Sequence, residues 1–150
     1  MPDRYLQDYV EGTVAELGTV SLSEQEILDF GRRYDPQPFH TDPQAAAAGP
    51  YGGLIASGWH TCAAVMPLIV NGYLSPASSL GSPGLESLRW LQPVRPDEPL
   101  TVRTTVRQVR RSASKPDRGL VTGLLEVAGG DGALKLTAVI VNVIAARPEA

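Results

Sequence analysis

The chain has 150 residues, 43% of them hydrophobic and 19% charged, with a formal net charge of −3. That length suits one domain, spanning 1–150, with a core of its own, and the balance excludes a disordered chain. The mild negative charge argues against a nucleic-acid partner.

Cys62 is the lone cysteine, so an internal disulfide is excluded; in its apolar run it reads as a small core residue. The first dozen residues carry no apolar signal core. No apolar run approaches the roughly 20 residues that cross a bilayer, so a soluble, cytoplasmic protein without a membrane partner is expected.

Val10 to Leu22 alternates loosely, which predicts a strand or a bent strand pair. Ser23-Glu24-Gln25-Glu26 then matches a capping box, with Ser23 as N-cap and Glu26 reaching back. Ile27, Leu28, Phe30, Gly31 and Tyr34 recur at helical spacing, and the helix should end at Asp35-Pro36. Proline disfavours helical geometry in the residue before it, so Asp35 belongs to the loop that follows. That loop, Asp35-Pro36-Gln37-Pro38-Phe39-His40, is stiffened by two prolines. Asp42-Pro43 opens a second short helix, with Asp42 as N-cap and Gln44 to Ala48 as its body, closed by Gly49-Pro50.

A third helix of about 16 residues starts with Ser57 as N-cap. Trp59, Cys62, Val65, Met66, Leu68, Ile69 and Val70 make it apolar nearly all round, which predicts burial in the core. Pro67 lies inside it and predicts a kink or an early stop. After a Pro/Gly/Ser-rich link, four strands are expected: Leu85 to Pro93, Leu100 to Val109, Leu120 to Val127 and Leu134 to Ile144. Leu100, Val102, Thr104 and Val106 share one face, and Val109 falls out of phase, which suggests a bulge. From Ala138 to Ile144 both faces are apolar, as in a strand covered on two sides, the second side by a partner subunit. The fold class is therefore α+β, an antiparallel sheet wrapped around a long buried helix.

Asp35 and His40, held close by a proline-clamped loop, are the residue types that share a water and exchange general acid and base roles. Adding water to an α,β-unsaturated thioester needs such a pair. The competing reading makes Asp35 a helix end and His40 an ordinary loop residue. Ala56-Ser57-Gly58 places backbone N–H groups at a helix start, where they can meet negative charge on a thioester oxygen; Gly58, without a side chain, allows close approach. The competing reading is a plain serine cap and a glycine packed on the sheet. His60, near the start of the buried helix, could be a second acid or base, but reads first as a satisfied buried histidine. A metal site from Asp35, His40 and Asp42 matches no usual spacing, and Asp42 is explained as a cap. Phe39, Tyr51, Trp59 and Trp90 are candidate acyl-pocket residues, or plain core. Arg89, Arg95, Arg103, Arg107, Arg110 and Arg111 are candidate partners for nucleotide phosphates, or solvated strand faces.

Three blocks now stand in order: Tyr34-Asp35-x-x-Pro38-Phe39-His40-x-Asp42, Gly53-Leu54-Ile55-Ala56-Ser57-Gly58, and Leu88-Arg89-Trp90-Leu91-x-Pro93-Val94-Arg95-Pro96. Together they resemble the MaoC-like dehydratases, hot-dog-fold proteins that include the (R)-specific enoyl-CoA hydratases. The resemblance implies that Asp35 and His40 are the catalytic pair and that the Gly58 N–H is the oxyanion donor, with Ser57 and Gln37 beside the substrate. Many hydratases of that family carry Asn where this chain has Gln37, which is one methylene longer, and Pro67 is also unusual. The resemblance further implies a homodimer with sheets joined edge to edge and an acyl-CoA or acyl-carrier thioester near the interface. No cofactor is expected. The activity implied is reversible hydration of a 2-enoyl thioester; the rivals are a partner-dependent, non-catalytic hot-dog subunit and an acyl-CoA thioesterase.

Overall fold

The computed structural model describes residues 2–149. A 3-10 turn at Leu6–Asp8 precedes β1, which runs Val14–Val20. The strand starts later than its alternation suggested because Gly12, at φ 88°, makes a turn first. Helix α1 covers Glu24–Tyr34, and its capping box forms as expected: Ser23 Oγ accepts from the Glu26 N–H at 3.1 Å, and the Ser23 N–H donates to Glu26 Oε1 at 3.2 Å.

His40 does not sit in an irregular loop. Pro38 occupies the first position of a one-turn helix, α2, at Pro38–Thr41, because its fixed φ already suits a helical start. Asp42 then ends α2 and caps α3, Pro43–Ala48, accepting from the Gln44 and Ala45 N–H groups, each at 3.1 Å. One glycine makes the packing of this corner possible. A Cβ on Gly31 of α1 would lie 2.7 Å from the His40 carbonyl oxygen and 2.9 Å from its Cβ. A helical glycine costs roughly 1 kcal/mol against alanine, and here it lets α1 press directly onto the His40 turn.

Helix α4 spans Gly58–Gly72, and Pro67 does not stop it. Its burial is one-sided: His60, Thr61, Val65 and Ile69 are buried, whereas Trp59 is 58% exposed, and Met66 and Val70 are exposed with it. The expectation of an all-round buried helix fails because an apolar face records what a helix could bury, not what this chain alone places against it. Cys62 is half-buried.

The remaining strands are β2 (Gly84–Trp90), β3 (Leu100–Arg111), β4 (Arg118–Ala128) and β5 (Leu134–Ala145), in an antiparallel sheet of order β1-β3-β4-β5-β2. The β3–β4 register slips between Val106 and Gln108, two residues before the phase change that Val109 signalled. The core face carries Leu100, Val102, Val121, Val127, Leu136 and Ile144, all with essentially no exposure. Strand β5 lies inside the sheet, so its doubly apolar character does not mark an edge for a partner to join. Beyond β2, its free side is taken by residues 78–82: Leu80 N–H donates to Val143 O at 2.9 Å, and Val143 N–H to Gly81 O at 2.8 Å. The sheet's edges are β1 and β2. Among the described residues no helix is long and apolar enough to cross a membrane.

Candidate active site

Asp35 terminates α1 with φ −152° and ψ 70°, its N–H still bonded to Gly31 O at 2.9 Å. Pro36 enforces that exit, and the carboxylate turns toward α2 and the start of α4. Oδ1 accepts from Gln37 Nε2 at 2.8 Å; Oδ2 accepts from Ser57 Oγ at 2.8 Å and lies 3.3 Å from His40 Nε2. Burial raises the Asp35 pKa, but the hydrogen bonds from Gln37 and Ser57 and the charge of His40 outweigh it, so the carboxyl is held below its ordinary value.

The His40 side chain is 6% exposed. Its Nδ1 is 2.7 Å from the Ile55 carbonyl, and a carbonyl only accepts, so Nδ1 carries a proton. Nε2 is thereby left to face Asp35. Ile55 is itself anchored, since its N–H donates to Phe39 O at 3.0 Å, and Ala56 N–H donates to Val94 O at 2.9 Å. The imidazole is fixed in tautomer and direction by the same extended segment that leads into α4.

Ser57 stands at the N-cap position of α4, yet its side chain makes no capping bond. The hydroxyl goes to Asp35 instead. His60 N–H donates to Ser57 O at 3.0 Å, but the Gly58 and Trp59 N–H groups have no acceptor among the described residues and carry the positive end of the helix dipole. Gln37, for all its extra methylene, reaches Asp35 as well. Both residues act on the carboxylate; neither lines the cavity beside it.

That cavity, about 300 Å³, has His40, Gly58, Thr61, Trp90, Val94 and Lys135 in its wall. A Cβ on Gly58 would come within 2.3 Å of the Trp90 indole. Packing under Trp90 thus accounts for the glycine on structural grounds, while its backbone still borders the cavity. Phe39 and Tyr51 also border it; Trp59 instead packs edge-on to Trp90 from outside, with ring centroids 5.0 Å apart.

Lys135 went unread in the sequence. Its ammonium, nearly buried, lies 3.2 Å from Glu98 Oε1 and 3.3 Å from Gln92 Oε1. The available signal was a lone cation opening an otherwise apolar strand. None of the six candidate arginines lines the cavity. Arg95 donates to the Tyr51 carbonyl beside it, and Arg103 pairs with Glu126 at 3.0 Å.

His60 is buried against Phe30, with the rings stacked 4.5 Å apart and 4° from parallel. It is not the satisfied histidine expected, because Nδ1 has no hydrogen-bond partner among the described residues. Burial lowers its pKa, against the nearby Glu26. It lies outside the cavity wall.

The comparisons with known proteins bear on the family and the fold. The MaoC like domain matches residues 7–128. The protein YdeM of Bacillus subtilis, itself uncharacterized, is 27% identical over 120 residues, covering 80% of this chain and 84% of its own. A MaoC-like dehydratase from Rhodospirillum rubrum superposes with a TM-score of 0.90 at 35% identity, over 97% of this chain and 99% of that one. The R-hydratase PhaJ1 from Pseudomonas aeruginosa, in its unliganded form, shares the fold at a TM-score of 0.74 and 21% identity, over 96% and 86% of the two chains.

Proposed function

The chain belongs to the MaoC-like family of hot-dog dehydratase domains, and from that premise we propose that it adds water reversibly to a 2-enoyl-CoA, giving an (R)-3-hydroxyacyl-CoA. The observation that carries this reading is the Asp35–His40 pair at 3.3 Å, whose carboxylate oxygens and Nδ1 are all tied down beside the start of α4. Two fixed groups of this kind can hold one water and take its proton.

In the hydration direction Asp35 accepts a proton from that water while His40 orients it, and the hydroxide adds to C3. Electron density moves through C2 onto the thioester oxygen, where the Gly58 N–H, at the positive end of α4, stabilises it. C2 then takes a proton from the Asp35–His40 pair. The depressed Asp35 pKa keeps the carboxylate ionised and able to accept a proton, at a cost in basicity.

The working particle in this reading is a homodimer. Edge strand β2 presents Leu85 and Trp90 exposed, Leu91 follows it, and α4 adds Trp59, Met66 and Val70. A second copy pairing its own β2 here would continue the sheet and cover that apolar stripe. The test is a panel of enoyl-CoAs differing in chain length, branching and terminal polarity, followed by loss of the enoyl-thioester absorbance and by release of free thiol. Absorbance loss without thiol is the expected result. Thiol release would make the protein a thioesterase, and no turnover of any member would end the hydratase reading.

A further inference from the structure

The cavity beside His40 has two walls of different origin. His40 and Gly58 belong to helices α2 and α4, whereas Gln92 and Lys135 belong to the sheet, just past β2 and at the second residue of β5. Trp90 lies between the walls, covering Gly58 and pairing with Leu136 across the β2–β5 ladder. The helical wall holds the thioester in the reading above, which leaves the sheet wall for the acyl group. That wall presents an ammonium, not a purely apolar floor.

A local irregularity of the sheet puts it there. Val127 faces Leu136 and Ala128 faces Leu134, which leaves Lys135 as the extra residue of a bulge, and bulges re-aim side chains. Strict alternation would set Lys135 on the face opposite Leu136; instead both line the cavity, and Lys135 is 7% exposed. Gly129 makes room for the side chain, since a Cβ there would lie 2.4 Å from Lys135 Cε and from Glu98 Oε1. Glu98 is fixed in turn, its Oε2 accepting from the Arg95 N–H at 3.0 Å. The Lys135 ammonium has its charge matched by Glu98 at 3.2 Å and a second acceptor in Gln92 at 3.3 Å. An ammonium carries three N–H donors, so one has no acceptor among the described residues. Buried donors are costly unless met. An alkyl end would leave this one unmet; an oxygen would satisfy it. A carboxylate, however, would stand as a second anion beside Glu98 with one cation between them, an uncompensated buried charge. Arg95 does not supply the balance, because its guanidinium goes to the Tyr51 carbonyl and lies outside the wall.

Volume narrows the ligand further. The cavity, about 300 Å³, is at the small end of ligand sites, which run from roughly 300 to 1,000 Å³, so the acyl group is short. We infer that the preferred acyl group is a short one with an uncharged acceptor oxygen, a hydroxyl or carbonyl, at its far end, and that Lys135 selects it. This rests on the hydratase reading and adds to it the class of acyl group.

The test measures kcat/KM on matched esters: crotonyl-CoA against 4-hydroxycrotonyl-CoA, and 2-hexenoyl-CoA against 6-hydroxy-2-hexenoyl-CoA and the dicarboxylic 2-hexenedioyl-CoA. In at least one pair the hydroxylated ester should be preferred about tenfold or more, the scale of one hydrogen bond to a charged group, and the dicarboxylic ester should fall below its hydroxylated counterpart. Lys135→Met should lower the hydroxyl-to-alkyl ratio by the same factor. Because that variant leaves Glu98 without its cation, Lys135→Met combined with Glu98→Gln, which removes both charges, is measured beside it. A purely structural Lys135 would lower both esters alike and leave the ratio where it was. An unmoved ratio in the double variant, no preference in either pair, or a preferred dicarboxylic ester overturns the proposal. If no enoyl thioester is turned over, calorimetric titration with hexanoyl-CoA and 6-hydroxyhexanoyl-CoA decides. Tighter binding of the hydroxylated ester that the double variant loses keeps Lys135 as the selecting residue while the hydratase reading falls. Equal binding, or a preference that the double variant retains, ends both.

Discussion

The corner around His40 and the corner around His60 use the same side chain at similar burial, 5% and 9% exposed, twenty residues apart in the chain. Around His40 the ring meets an acceptor at each nitrogen, Ile55 O and Asp35 Oδ2, and the acid is held in turn by Gln37 and Ser57. Around His60 the ring lies flat on Phe30 and Nδ1 has no partner among the described residues. Burial alone therefore does not make a histidine chemical. What distinguishes the first corner is that its polar atoms are aimed at one another, so that a proton has a defined route.

The largest effect should come from cutting that route. Asp35→Asn keeps the shape and removes the base, and the hydration rate should fall about 1000-fold, within the range general acid–base groups supply; crotonyl-CoA absorbance measures it. A loss below about tenfold would place the chemistry elsewhere. Next is Gly31→Ala, which removes no polar group. Its Cβ would sit 2.7 Å from the His40 carbonyl, pushing α2 away. Misplacing a catalytic group by about 1 Å can cost on the order of 100-fold in rate, and overpacking should lower stability by about 1–3 kcal/mol, read from denaturant melts. Retained activity would show that the close approach of α1 is not what positions His40.

Ser57→Ala removes one of the bonds that lower the Asp35 pKa. The carboxyl should then rise toward or past its ordinary value of 3.8, and the acid limb of the rate profile should move to higher pH. Turnover near neutrality should drop only about tenfold, the scale of one charged hydrogen bond. For stability, a depressed carboxyl contributes above its unfolded pKa, and that contribution is lost as the pH falls through the folded value; Ser57→Ala should shrink it. An unmoved acid limb would mean the hydroxyl does not tune the acid.

The smallest effect on rate belongs to the other corner. His60→Phe should leave kcat within about twofold and raise stability by about 1 kcal/mol, since it removes a buried, unpartnered nitrogen. The His60 pKa is depressed, so its neutral form contributes stability above about 6.5, its ordinary value, and loses it as the pH falls from there through the folded value. Melts of the two proteins at pH 8 and pH 5.5 should diverge toward the acid side, with His60→Phe the less affected. A large loss of kcat would bring His60 back into the chemistry.

Local chemistry was readable where it is self-contained. The Ser23 and Asp42 caps, the end of α1 at Asp35 and the alternation of β3 all depend on neighbours within four residues, and all stand as read. Contacts between distant segments were not. Nothing near Gly31 says that its missing side chain is reserved for a carbonyl nine residues on. Nothing near Ser57 says that its hydroxyl prefers an acid twenty-two residues back to its own helix. The apolar character of both faces of β5 was readable, but the strand's place between β4 and β2 was not, since it depends on connections elsewhere in the chain. The exposed face of α4 shows the same limit, since one chain's sequence cannot say whether an apolar stripe meets its own sheet or another molecule.

The choice that Ser57 makes has a consequence for engineering. A serine that does not cap leaves α4 short of the roughly 1 kcal/mol a good N-cap supplies, so a routine search for thermostability would nominate this position early and suggest aspartate. That carboxylate would stand beside Asp35, where two like charges at close range force one of them to hold a proton. The substitution that best completes the helix would disarm its base. Variants selected for heat resistance alone should drift toward inactivity here, and ones selected for both should keep a hydroxyl.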